Sequence, residues 1–282
     1  MGPPALDVVI CTYNHAPLLN GALDALARQR VRPGVEWSVL VVDNNSTDET
    51  PAVVERHRAA GRIPGLTRVE EKVQGLTPAR LRGVRSTTAP WVAFVDDDCV
   101  LEEGWIAGAV AGIEAHPEAA GLGGKVVLRY EQPPSPFVQD FGWLFAAQDH
   151  GDTGWVDGPL LADRVGAKLV SGGDVELALR LSSSGRELRY TPDCVLHHTI
   201  PTSRTSMRHL IPLIRGLGRS QTYADAMTFG GTFRGWVRDR GRRAVLDASF
   251  LQGRWLALAR LAASRARGKV PLFGVARKPP AG

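Results

Sequence analysis

Three consecutive carboxylates, Asp96-Asp97-Asp98, follow directly on the apolar run Trp91-Val92-Ala93-Phe94-Val95. Adjacent acids at the end of a buried strand repel one another and lose hydration, so a cation is the simplest compensation. Mg²⁺ and Mn²⁺ take oxygen ligands, commonly one or two carboxylates completed by substrate phosphates. Alternate residues of an extended segment point the same way, so Asp96 and Asp98 are expected to share a target while Asp97 faces elsewhere. A D-x-D spacing is weak alone, because acidic turns after strands are common; its position after a buried strand gives it weight.

Positioning those acids requires a sheet. Val8-Val9-Ile10, Trp37 to Val42, Thr67-Arg68-Val69 and Trp91 to Val95 are β-rich runs that alternate with helical patterns. Strand, helix, strand, helix predicts a parallel sheet covered on both faces. Pro17 suits a first helical turn, and Leu18, Leu19, Ala22, Leu23 and Leu26 then recur on one face. Ser46-Thr47-Asp48-Glu49 reads as a capping box opening a helix to about Ala60. Thr77-Pro78 opens another towards Ser86, and a fourth is expected from about Glu102 to Ala115. Open sheets bind ligands at the carboxyl ends of their strands, where Thr12, Asp43 and Asp96 to Asp98 all fall. Asp43-Asn44-Asn45-Ser46 also suits a plain turn with a helix cap.

Pro133-Pro134-Ser135-Pro136 interrupts the alternation. The aromatic stretch after it, with Phe137, Phe141, Trp143, Phe145 and Trp155, is either a loop covering a site or a connection that packs these rings into the core. A helix from about Asp174 to Ser184 and short strands at Leu188-Tyr190 and Cys194-His198 complete the reading.

Taken in order, Val9-Ile10-Cys11-Thr12-Tyr13-Asn14, Val41-Val42-Asp43-Asn44-Asn45-Ser46, Gln74-Gly75-Leu76-Thr77-Pro78-Ala79-Arg80 and the triple acid resemble the family 2 glycosyltransferases of the GT-A fold. Ser171-Gly172-Gly173-Asp174-Val175-Glu176, Tyr190-Thr191-Pro192 and His198-Thr199-Ile200-Pro201 continue the resemblance, which covers about residues 7 to 205. It implies an α/β catalytic domain over 1–205, with a nucleotide-sugar half to about 130 and an acceptor half from 131. By the same resemblance Thr12, Tyr13 and Asp43 hold the nucleoside and Arg80 supports the nucleotide. Asp96 lies near ribose or metal, and Asp97 borders the same edge. Asp98 ligates a Mn²⁺ or Mg²⁺ ion bridging the diphosphate, and His198 lies near the phosphates and that ion, with adjacent His197 able to exchange roles. Asp174 becomes the base that deprotonates the acceptor hydroxyl, with Glu176 in reserve, and transfer proceeds with inversion. The chain departs from the family pattern at Gly173, where an acid usually precedes the base. It also shows no match between Phe141 and Lys168 for a strand and helix that the family usually has. A sugar-nucleotide-binding module without transfer and a sugar nucleotidyltransferase are the other readings; no Gly-rich loop with Arg and Lys follows the first strand to favour the latter.

At 282 residues and 44% hydrophobic, the chain can bury a full core. Its three cysteines, Cys11, Cys99 and Cys194, lack C-x-x-C spacing and read as buried thiols in a reducing compartment. No apolar stretch reaches the length of a spanning helix and the start lacks a leader pattern, so a cytoplasmic location is expected. Residues 201–282 carry sixteen Lys/Arg against three Asp/Glu, a net +13, leaving −8 for the remainder of a chain of total +5. The extension 206–282 is thus basic, with Leu251, Trp255, Leu258 and Leu261 on one side of a helical pattern. Such a segment either lies on an anionic membrane surface, on its inner face, or packs on the catalytic domain. Nucleic acid is not an expected partner, because no recognised module accompanies the charge.

Overall fold

The computed structural model describes residues 5–150 and 187–216. The chain divides into two compact units, Met1–Ala224 and Asp225–Gly282, the second of which lies outside the described residues. In the first unit, β1 (Ala5–Thr12), β2 (Glu36–Asp43), β3 (Thr67–Glu70) and β4 (Trp91–Asp96) form one parallel sheet in the order β3-β2-β1-β4. β1 is central because Val8, Val9 and Ile10 are apolar in succession and shut off from water on both faces. Each such side chain contributes about 1.5–3 kcal/mol on burial. The register sets Thr12 opposite Asp43 and Cys11 opposite Asp96, so the polar strand ends are level along one edge.

Helices cover both faces. α1 (Ala16–Leu26) has Pro17 in its first turn and buries Leu19, Leu23 and Leu26. α2 (Thr50–Ala60) stops at Gly61, whose φ of 64° is the left-handed conformation that glycine tolerates. The expected capping box does not form: α2 begins at Thr50, four residues after Ser46. Ser46 Oγ accepts instead from the Asn14 N–H (3.0 Å), and Asp48 accepts from the N–H groups of Ala16 (2.9 Å) and Thr50 (3.0 Å). Residues 46–48 therefore knit the β1–α1 loop to the β2–α2 loop. α3 (Leu76–Ser86) and α4 (Trp105–Ala115) occupy the other two expected positions.

A second sheet, ordered β5-β7-β6, consists of β5 (Cys99–Leu101), β6 (Gly121–Tyr130) and β7 (Leu188–Ile200). β7 runs antiparallel to β5 and parallel to β6. The two short strands expected at 188–190 and 194–198 are one strand, broken in register opposite Gly124 and Lys125. α5 (Pro136–Gln139), a 3-10 turn at Gly142–Phe145 and α6 (207–216) pack beside this sheet. Val138, Leu144, Phe145, Ile200, Leu210 and Leu213 form their common core, separate from the cluster around β1. The aromatic stretch therefore contributes Phe145 to a core, while Phe137 and Trp143 stay exposed and Trp155 lies outside the described residues.

Candidate functional site at the strand ends

A cavity of about 920 Å³ runs along β4 from Trp91 to the strand ends, where Thr12, Tyr13, His15, Arg80, Asp96 and Asp98 line it. The acid run is not extended. Asp96 ends β4, Asp97 and Asp98 form a two-residue turn, and Cys99 starts β5. The two-residue alternation expected of these acids therefore fails, and each carboxylate meets its own partners.

Asp97, the acid assigned least in the sequence, is buried and accepts from Thr12 Oγ1 at 2.6 Å. His15 Nδ1 lies 3.1 Å from its Oδ2 and 3.2 Å from its Oδ1. The hydrogen bond to Asp97 raises the His15 pKa above its ordinary value; burial opposes this, and the charges of Asp97 and Asp98 add to it. Asp98 is also buried, with His198 Nε2 at 3.3 Å and Arg204 Nη1 at 3.0 Å from its Oδ2. Burial pushes its pKa up, but His198 and the Arg204 guanidinium together outweigh that and hold it well below the usual carboxylate range. Asp96 is the solvated acid, its carboxylate 3.7 Å from Arg80 Nη2, and the Arg80 guanidinium lies 5.4 Å from the Phe94 ring centroid.

Tyr13 stands in the cavity wall with 47% of its surface exposed. Asp43 does not line it. That carboxylate is buried, accepting from Arg68 Nη1 at 2.8 Å and from the Ser46 N–H at 2.9 Å. Its neighbour Asn44 does more than turn the chain. Asn44 Nδ2 donates to the carbonyls of Glu71 and Val73, both at 2.8 Å, and its Oδ1 accepts from the Gly75 N–H at 2.7 Å. One buried amide thus fixes the loop that launches α3 and, with it, Arg80. Gly75, at φ 135°, occupies a conformation closed to other residues.

β7 aims its two histidines differently, as strand alternation requires. His197 Nε2 meets Glu102 at 3.0 Å, whereas His198 reaches Asp98. His198 Nδ1 donates to the Phe145 carbonyl at 2.8 Å, which fixes the ring and directs Nε2 at the acid. Cys99 and Cys194 are buried free thiols, burial pushing the first pKa well up and the second to about 12, so neither is a nucleophile. Among the described residues no group of three or more His, Cys, Asp and Glu forms a ready-made metal cage. Asp98 Oδ2 and His198 Nε2, 3.3 Å apart, are the pair that would hold a divalent ion there. Asp174 and Glu176 lie outside the described residues.

The sequence reading passed over His15, and took Asn44 only as a turn residue. His15 directly follows the Tyr13-Asn14 segment, so its place at a strand end was the one signal available; its partner Asp97 is 82 residues away.

Residues 7–146 match the sequence model described as Glycosyl transferase family 2. The chain is 26% identical over 217 residues to glycosyltransferase AglE of Haloferax volcanii, covering 69% of this chain and 67% of that one. It is 36% identical over 161 residues to validoxylamine A glucosyltransferase of Streptomyces hygroscopicus subsp. limoneus, covering 54% of this chain and 34% of that one. It thus spans about two thirds of the first relative and a third of the second. Mannosyltransferase PcManGT from Pyrobaculum calidifontis, solved in complex with GDP-Man and Mn²⁺, shares the fold with a TM-score of 0.56 at 22% identity, over 95% of this chain and 77% of that one. The mostly parallel sheet flanked by helices is the GT-A arrangement. Carrying that fold and the family's sequence pattern over residues 7–146, the chain belongs to glycosyl transferase family 2.

Proposed function

We propose that this protein transfers a sugar from a nucleotide-diphosphate donor to an acceptor hydroxyl, with inversion, using a divalent metal. The observation that carries the reading is the Asp96–Asp98 turn, which presents an ionised, cation-paired Asp98 in the same cavity as Tyr13 and Arg80. The exposed Tyr13 ring offers a face to the base, and Arg80 a positive charge to the nucleotide. Thr12 and Asp43 act through their neighbours: Thr12 holds Asp97, and Asp43 fixes Arg68 and the loop at Ser46.

Asp98 has the carboxylate oxygen suited to Mn²⁺ or Mg²⁺, His198 would stand beside the ion, and the solvated Asp96 lies at the same turn. When bound, such an ion neutralises charge developing on the leaving nucleoside diphosphate. The acceptor oxygen attacks the anomeric carbon as its bond to the diphosphate breaks, the bonding pair leaving with the phosphate. The acceptor's proton passes to Asp174, the base implied by the family resemblance. We place the reaction on the cytoplasmic side, with the basic segment after residue 205 as the part that meets an anionic membrane surface; no helix among the described residues is long and apolar enough to cross one.

Thermal-shift screening against UDP- and GDP-sugars, with and without Mn²⁺, tests the donor assignment. A ligand at a hundred times its Kd stabilises the native state by about 2.7 kcal/mol, which raises Tm by about 5 °C or more in a domain of this size. Stabilisation that needs Mn²⁺ is expected. No shift with any sugar nucleotide would sink the reading. Asp174→Ala should keep that shift and lose turnover.

A further inference from the structure

His15 occupies the N-cap position of α1, where Ser, Thr, Asp or Asn usually accepts a backbone N–H, and its side chain makes no such cap. The ring is used otherwise. Asp97 is a buried carboxylate that also receives the Thr12 hydroxyl, so Nδ1 carries a hydrogen and donates to it. That bond fixes the ring plane and turns Nε2 away from Asp97. Nε2 has no hydrogen-bond partner among the described residues, while 45% of the side chain is exposed and the residue lines the cavity. A histidine oriented by a carboxylate, with its second nitrogen open to a cleft, is arranged to contact a ligand.

The surroundings say which part of the ligand. His15 is within electrostatic range of Asp98 and Arg204, the pair at the opposite end of the acid turn. Both acids near the ring already have partners, Asp97 in Thr12 and Asp98 in His198 and Arg204, so they do not leave an open anionic surface. The neighbouring carboxylates favour the protonated ring, in which Nε2 is also a donor. We infer that His15 is a contact residue for the donor's diphosphate, aimed by Asp97 and set across the acid turn from Arg204. Asp97 is then a positioning residue. This inference rests on the proposed nucleotide-diphosphate reading and adds a residue to it.

Calorimetric titration of the full chain with UDP and GDP in Mn²⁺, and with UMP and GMP under the same conditions, is the test. A charge-assisted hydrogen bond to phosphate predicts that His15→Ala loses roughly tenfold to a hundredfold in diphosphate affinity, while monophosphate affinity changes much less. His15→Gln, which restores a neutral donor, should recover part of the loss; it also serves if the alanine variant does not fold. Asp97→Asn should shift the His15 ring-nitrogen NMR signals and weaken diphosphate binding in step. Equal losses for mono- and diphosphate, or unchanged affinity in both His15 variants, would overturn the assignment. Wild-type protein that binds neither UDP nor GDP would instead refute the donor reading itself.

Discussion

The sheet built from β1 to β4 and the sheet built from β5 to β7 meet at a two-residue turn, and they bring opposite charges to it. The first supplies the acids and the polar strand ends, clamping them both locally, as Asn44 does on the loop at 71–75, and across 85 residues, as Thr12 does on Asp97. The second supplies His198 and Arg204, each reaching Asp98 from about a hundred residues away. An acid turn after a strand is inexpensive to encode locally, because it needs only a sheet beneath it. His15 and Arg80 from the first sheet's own loops and helices meet Asp97 and Asp96, but compensating Asp98 takes the second sheet, and that makes Asp98 the joint between them.

Replacing Asp98 should give the largest effect. Asp98→Asn keeps the shape but removes the charge, leaving His198 Nε2 and Arg204 Nη1 facing a neutral amide. Nucleoside diphosphate affinity in Mn²⁺ should fall to its metal-free level, with turnover lowered on the order of a hundredfold or more. Calorimetry with and without Mn²⁺ reads this directly. An unchanged gain from Mn²⁺ would move the metal off the joint.

Paired glycine substitutions sharpen the contrast between the sheets. A Cβ at Gly124 in β6 would lie 2.3 Å from the Cys194 carbonyl oxygen, whereas one at Gly83 in α3 would lie 2.6 Å from a Val9 methyl carbon. A carbonyl fixed in a paired strand cannot step aside as a side chain can. Gly124→Ala should therefore cost about 1–3 kcal/mol in urea denaturation and disturb β7 just before His198, weakening Mn²⁺-dependent binding as well. Gly83→Ala should cost less and leave that binding alone. The reverse order would mean that the second sheet yields more readily than its packing implies.

The same contrast explains what could be read from the residues. All four strands of the first sheet and the helices α1 to α4 were legible, because Val8-Val9-Ile10 or Leu19-Leu23-Leu26 carry their burial in their own periodicity. β5 and β6 were missed: β5 has three residues, and Gly121-Leu122-Gly123-Gly124 lacks the β-branched side chains that announce a strand. Gly121 and Gly124 serve close approach to β7, a tertiary demand without a local signature. At the site, the types and places of Thr12, Tyr13, Arg80 and Asp98 could be read. The pairing of Asp97 with Thr12 and His15 could not, since a turn of two residues sets the direction of each acid and strand alternation no longer applies. Asp174, the base proposed from the family resemblance, lies outside the described residues.

The smallest expected effect separates two histidines by the region that holds them. His198 belongs to the charged joint, whereas His57 is buried between α2 and α1, where its Nε2–H donates to Asn20 Oδ1 at 3.1 Å. Burial lowers the His57 pKa below its ordinary 6.5; Asp24 opposes this, and Arg62 and Arg56 reinforce it. The folded state therefore binds its proton less readily than the unfolded state does. The stabilisation is complete above pH 6.5 and declines as pH falls through that value towards the lower folded pKa. Urea denaturation of wild type at pH 7.5 and pH 5.5 should show a loss, roughly 1 kcal/mol or less from this residue. His57→Gln, which cannot titrate and can still donate to Asn20, should remove that share of the slope. An identical slope in both proteins would mean that His57 takes up its proton inside the fold as easily as in water, and that the covered face of the first sheet is wetter than its packing indicates.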